Sequence, residues 1–220
     1  AKSEERATFI RKTYAHLAGA VGLFVLLEVI WFRMPFTPKL ISLMWGTRYS
    51  WLVVLGLFMV VGWVADSWAR SATSKTMQYA GLGLYVLAES VIFVPLLWVA
   101  TYYAKSDVLT PAILVTGGLF TGLTGTVLIT RKDFSFLRTI LVVGSFIALG
   151  AIVAAIVFGF HLGTLFSLAM VVLAAGFILY STSNVLHHYR TDQYVSASLA
   201  LFAAVALMFW YILQLFLSRD

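Results

Sequence analysis

The 220-residue chain has no cysteine. This excludes a disulfide framework, a thiolate nucleophile and a cysteine-ligated metal. Charge is scarce as well: Asp, Glu, Lys and Arg make up 11% of the residues, against about 25% in an ordinary soluble domain. No HExxH, no GxSxG and no phosphate-binding glycine loop occurs. Asp66, Asp107, Asp133, Asp192 and Asp220 all fall at the ends of apolar runs or between them, so no pair of aspartates is placed for hydrolysis within a membrane. His16 and His161 lie near opposite ends of their runs, and His187 and His188 are adjacent and point to different faces. Matched histidine pairs for haem or metal are therefore missing, and no cofactor, metal or catalytic residue is expected. The stretch 194–217 has no lysine, so a retinal Schiff base is excluded there.

What is present is apolar. Hydrophobic residues make up 61% of the chain and aromatics 15%, and mean hydropathy is +0.95. A water-soluble fold cannot hide that much apolar surface, so the expected solvent is the lipid bilayer. Crossing it takes roughly 20 apolar residues per helix, and every backbone group must be satisfied internally. Long unbroken apolar runs exclude the alternating pattern of barrel strands. Seven spans are predicted, at 13–33, 51–69, 78–103, 109–130, 136–159, 163–187 and 194–217. The prediction is an all-α polytopic bundle, with residues 1–12 as a polar tail, 13–217 as a single seven-helix domain and 218–220 as its end. The opening AKSEERATFIRKTY lacks the short apolar core and cleavage site of a signal peptide, so the first span is expected to remain as an anchor. The stretch 33–50 holds two of the four prolines and is read as an interfacial segment.

The net charge of +6 does not point to nucleic acid, because basic residues of a membrane protein gather in cytoplasmic loops. Lys2, Arg6, Arg11, Lys12, Arg70, Lys75, Arg131, Lys132, Arg138 and Arg190 fall on one side, and Arg33, Lys39, Arg48, Lys105 and Arg219 on the other. This bias of ten to five predicts a cytoplasmic N-terminus and, after seven spans, a C-terminus outside.

Few polar residues interrupt the spans. Gly118 and Gly122 form a GxxxG with Gly125 near the same face, a pattern that lets helices approach closely in lipid; packing within the chain is the expected use. Glu89 lies near the middle of the third span, where an acid is costly and a candidate for an ion path or polar core. Glu28 is nearer the outer end of the first span and is expected to snorkel. The sixth span runs into FILYSTSNVLHH (177–188). Ser181, Asn184 and His188 share a helical face, and Thr182 can bond back to the preceding turn. This seam is read as a polar clamp between helices near the turn that holds Arg131, Lys132 and Asp133, with Asp133 capping the helix that follows.

Three stretches together resemble the Bax inhibitor (TMBIM) family and its bacterial YccA-like branch: FIRKTYAHLAGAV (9–21), LITRKDFSFLRTIL (128–141) and FILYSTSNVLHH (177–188) before a last span ending in SRD. The resemblance covers nearly the whole chain, with the weakest match between residues 30 and 110. It implies a seven-helix fold of the Bax inhibitor type with the N-terminus inside. It also implies two activities. Members of the YccA-like branch associate with the membrane protease FtsH and restrain it, a role without catalysis in the cell inner membrane. Other bacterial members resemble pH-gated calcium leaks that pair two acids. Here Ser181 follows Tyr180 where an acid is common, and 195–217 contains no Asp or Glu, so that switch is missing. The reading is a modulator of an FtsH-type protease. The alternatives are a calcium or proton leak channel and an accessory subunit of a larger membrane complex.

Overall fold

A computed structural model describes residues 2–220, and among them the chain is helical throughout, with no strand. The elements are α1 (Lys2–Arg33), α2 (Thr37–Trp45), α3 (Arg48–Ala69), α4 (Lys75–Tyr102), α5 (Leu109–Thr130), α6 (Leu137–Phe158), α7 (Gly163–His187) and α8 (Tyr194–Leu217). All except α2 are long and apolar enough to cross a bilayer. The seven spans therefore stand, and α5, α7 and α8 have the predicted limits.

Residues 2–12, expected as a polar tail, form the first turns of α1. Glu4 and Glu5 sit in the first turn, where their charge suits the helix dipole, and Lys and Arg are good helix formers. Hydropathy gives no signal for such a polar extension. The segment after α1 folds as α2, started by Pro38 in its first turn, where a missing N–H costs nothing. At nine residues it is too short to span. Pro95 lies inside α4, so the Val91 carbonyl loses its helical donor.

The chain divides into two compact units, residues 1–98 with 190–202, and residues 99–189 with 203–220; α4 and α8 contribute to both. In the first unit, α1 buries the stripe Phe9, Thr13, Leu17, Ala20 and Glu28, whose spacing of three, four and eight follows one helical face. Phe24 meets Phe93 edge-on at 5.2 Å, and Phe202 reaches both Phe24 and Tyr85. These aromatic pairs join α1, α4 and α8. The α3–α4 hairpin closes through small residues. A Cβ on Gly81 would overlap the Ala65 carbonyl oxygen and come within 2.5 Å of the Ala69 nitrogen, and Ala65 and Ala69 are fully buried. The opposite face of α3, with Val53, Leu57, Val60 and Trp63, is exposed; in a bilayer that face meets lipid rather than water.

In the second unit α7 packs against both α5 and α6. Gly144 and Gly176 permit the α6–α7 approach: an added Cβ would lie 2.9 Å from Leu173 and 2.7 Å from Leu141 respectively. Ala148, Met170 and Tyr211 form the buried centre, with Phe166, Leu207 and Trp210 around it. The GxxxG of α5 is not used this way. A Cβ at Gly118, Gly122 or Gly125 meets nothing within 4 Å, which corrects the expectation of packing within the chain. The reason is rotational. Ala112, Thr116, Thr124 and Val127 are the buried residues of α5, and at 100° per residue the glycines fall on the opposite face.

Candidate functional site

The most connected polar group lies where the turn between α5 and α6 meets the end of α7. Arg131 ends α5 in the left-handed region, φ 52°, and its N–H reaches back to the Val127 carbonyl at 2.8 Å. A non-glycine residue there is strained, and such positions persist only when their surroundings hold them. The surroundings are α7. His187 Nε2 donates to the Arg131 carbonyl at 3.0 Å. Ser183 Oγ accepts from the Phe134 N–H at 2.8 Å and donates to Asp133 Oδ1 at 3.2 Å. His188 Nε2 lies 3.0 Å from Asp133 Oδ2. Asp133 Oδ1 also accepts the Ser135 N–H at 2.9 Å.

These partners hold the Asp133 carboxyl well below the usual carboxylate range. The Ser135 backbone N–H acts most strongly, then His188, with Ser183 adding to them. The His188–Asp133 pair is about half exposed, so solvent screens it and its strength is modest. Ser183 is fully buried, and the clamp turns on it. Asp133 does not cap α6, contrary to expectation. That helix begins after Phe136 without a side-chain cap, and Asp133 serves the turn ahead of it.

The seam residues divide. Of the three placed on one face, only His188 engages Asp133 through its side chain. Ser181 is buried. Asn184 ends the helix through its carbonyl, which accepts the His188 and Tyr189 N–H groups at 2.9 Å each. The Thr182 hydroxyl is buried with no hydrogen-bond partner, so the expected bond to the preceding turn is absent. Ser183 and His187, which lie off that face, carry the contact; the available signal was the unpaired backbone N–H and C=O groups of a turn facing a hydroxyl that can accept and an imidazole that can donate. Lys132 is exposed in the same turn. Ser, His and Asp meet here without the order of a nucleophilic triad, in which imidazole stands between hydroxyl and carboxylate. In this site the carboxylate stands in the middle: the serine proton faces Asp133, a weak base because its carboxyl is held below the usual range, and the imidazole does not face the hydroxyl.

Glu89 lies in the first unit and Ser181, Asn184 and His188 in the second. Glu89 is buried near the midpoint of α4, one turn from Tyr85, whose hydroxyl bonds its carboxyl. Next to it, Ser90 accepts the Trp31 indole N–H at 3.1 Å. Glu28 does not snorkel. It is 7% exposed, on the buried stripe of α1, and both its oxygens lack hydrogen-bond partners.

A further polar group in the first unit was not foreseen. His16 Nδ1 donates to the Lys12 carbonyl at 2.7 Å, and its Nε2 is hydrogen-bonded to the Tyr79 hydroxyl at 2.8 Å. The Tyr194 ring stands 5.0 Å from the His16 ring.

The sequence profile of the family described as Inhibitor of apoptosis-promoting Bax1 matches residues 6–220. The chain belongs to the Bax inhibitor family. Its polytopic all-α membrane fold is the one this family implies. Relatives in the family include an uncharacterized protein of Pseudomonas aeruginosa, 27% identical over 98% of this chain and 91% of that protein. Bax inhibitor 1 of Schizosaccharomyces pombe is 26% identical over 96% of this chain and 76% of its own length. The Modulator of FtsH protease YccA of Escherichia coli is 34% identical over 119 residues, 52% of this chain and 53% of that protein. That last match spans about half of each chain.

Proposed function

We propose that this Bax inhibitor family protein associates with an FtsH-type membrane protease, or with the quality-control machinery around it, and restrains it without a catalytic centre of its own. The observation that carries the reading is the 34% identity to the Escherichia coli protein named a modulator of FtsH protease. Two features support it. The first turns of α1, Lys2–Lys12, extend the first span as a charged helix that a partner outside the bilayer can reach. The clamp of Ser183, His187 and His188 on the 131–136 turn braces the bundle against extraction. The site of action is an inner membrane, with the N-terminus in the cytoplasm. The test is gentle affinity purification from native membranes. Co-recovery of an FtsH-type protease that is lost on deleting residues 1–12 supports the reading, and recovery of the protein alone refutes it.

A second reading, an ion leak, is favoured by the two buried acids Glu28 and Glu89. Calcium flux into proteoliposomes that falls when Glu89→Gln replaces the wild type supports it. Unchanged flux removes it.

A further inference from the structure

Beside the buried stripe of α1 runs an open groove of about 330 Å³ between α1 and α4. Its walls are Ala15, Gly19, Leu23, Leu82, Gly83 and Val86, and the His16–Tyr79 hydrogen bond crosses one end. Glycine in a helix interior is less stable than alanine, and a close backbone approach explains neither glycine here. A Cβ at Gly19 or Gly83 meets nothing within 4 Å. Their missing side chains leave room in the groove instead.

The polar end is charged. One turn before His16 on the same face stands Lys12, and one turn before Tyr79 stands Lys75. Both ammonium groups lie over the Tyr194 ring, at 5.2 and 4.1 Å from its centroid. They are therefore within about 10 Å of each other, the screening length at ordinary salt. Lys75 is held by the Asp192 carbonyl at 2.8 Å and the Gln78 side chain at 3.1 Å. The Asp192 carboxylate itself is taken by Arg190 through two bonds of 2.9 and 3.1 Å. Lys12 has no carboxylate within ion-pair distance among the described residues. Two cations are thus gathered on one ring with no carboxylate bridging them, at the mouth of an apolar groove.

We propose that this groove is a binding site for an anionic glycerophospholipid, with its phosphate between Lys12 and Lys75 and one acyl chain along Gly19 and Gly83. The occupant follows from the lengthwise polarity: two cations, then a polar bridge, then an apolar trough. Lys75 begins α4 and Lys12 is the last charged residue before the apolar stretch of α1, and basic pockets between spans meet lipid headgroups where apolar helix gives way to charge. The proposal is independent of the protease reading and of which side of the membrane the N-terminus occupies.

The test is titration of the detergent-purified protein with dioleoyl phosphatidylglycerol and with dioleoyl phosphatidylcholine, counting bound lipid by native mass spectrometry. Phosphatidylglycerol should bind the more tightly. Lys12→Gln should weaken it about fivefold and Lys12→Gln with Lys75→Gln about thirtyfold, leaving phosphatidylcholine unaffected. Gly19→Leu with Gly83→Leu should abolish binding, with an unchanged melting temperature as the check on the fold; a Cβ at either position meets nothing within 4 Å. Equal affinity for the two lipids overturns the proposal, as does binding that survives the leucines. A photo-crosslinker at Gly19 in native membranes that captures polypeptide instead of lipid also overturns it.

Discussion

The α3–α4 hairpin permits a sharp test of how the helices pack. Alanine at Gly81 adds one methyl group whose neighbours are backbone: the Ala65 carbonyl oxygen, the Ala69 nitrogen at 2.5 Å and the Trp68 carbonyl carbon at 3.0 Å. None of these can rotate away, so the two helices must separate. Alanine at Gly118 adds the same methyl group to open space. Each change gains about 0.5–1 kcal/mol from the lower entropy of alanine, and overpacking a tight contact costs about 1–3 kcal/mol. The helices driven apart also lose the packing around Ala65 and Ala69, both buried. The entropy gain is common to both and cancels, so Gly81→Ala is expected to be less stable than Gly118→Ala by about 1–3 kcal/mol. At about 2–4 °C per kcal/mol for a chain of this size, the melting temperatures separate by about 2–12 °C. Gly144→Ala should fall between them, because its obstacle is the movable end of Leu173. The assay is thermal unfolding in dodecyl maltoside followed by circular dichroism. Equal melting temperatures for Gly81→Ala and Gly118→Ala would refute the reasoning.

Other outcomes follow from the turn, the buried acids and the missing cysteine. Ser183→Ala, which strands the Phe134 N–H and removes a donor from Asp133, should cost about 1–2 kcal/mol in the same melts. The Asp133 carboxyl is held down in the folded state, so its contribution is complete above the ordinary carboxylate range, near pH 4, and is lost as pH falls below it; the stability gap between wild type and Asp133→Asn should narrow on acidification, and a constant gap would contradict the assignment. Glu28→Leu replaces a buried, unpartnered carboxyl and should raise stability by about 1–3 kcal/mol, whereas a loss of stability would mean that the carboxyl has a partner. Because the chain has no cysteine, single cysteines report topology cleanly: Ser3→Cys should react with an impermeant maleimide only from the cytoplasmic side and Ser106→Cys only from the other.

The spans were legible because each is a long apolar run whose energetics in lipid depend on composition alone. The same reasoning missed residues 2–12, where helix comes from propensity and dipole rather than hydropathy. The helix contacts were harder to read. GxxxG in α5 is a visible pattern, yet a glycine that meets the backbone of another helix is Gly81, matched there by Ala65 and Ala69. In the seam, periodicity identified a face but not its neighbour, so Ser181 and Asn184 were named while Ser183 and His187 hold the turn. Glu28 was misplaced because distance from a helix end says nothing about rotation, and rotation puts it on the stripe of Phe9, Thr13 and Leu17.

The division of the chain bears on the order in which it is made. Residues 190–202 complete the unit begun by residues 1–98, and Phe202 and Tyr194 are its late arrivals, closing on Phe24, Tyr85, Lys12 and Lys75. A nascent chain with six spans inserted therefore has an open first unit, with buried-face aromatics facing lipid and two unshielded lysines at its rim. Domains that close locally fold as they emerge. This one must wait for its last helix, whose first turns carry Tyr194 and Phe202.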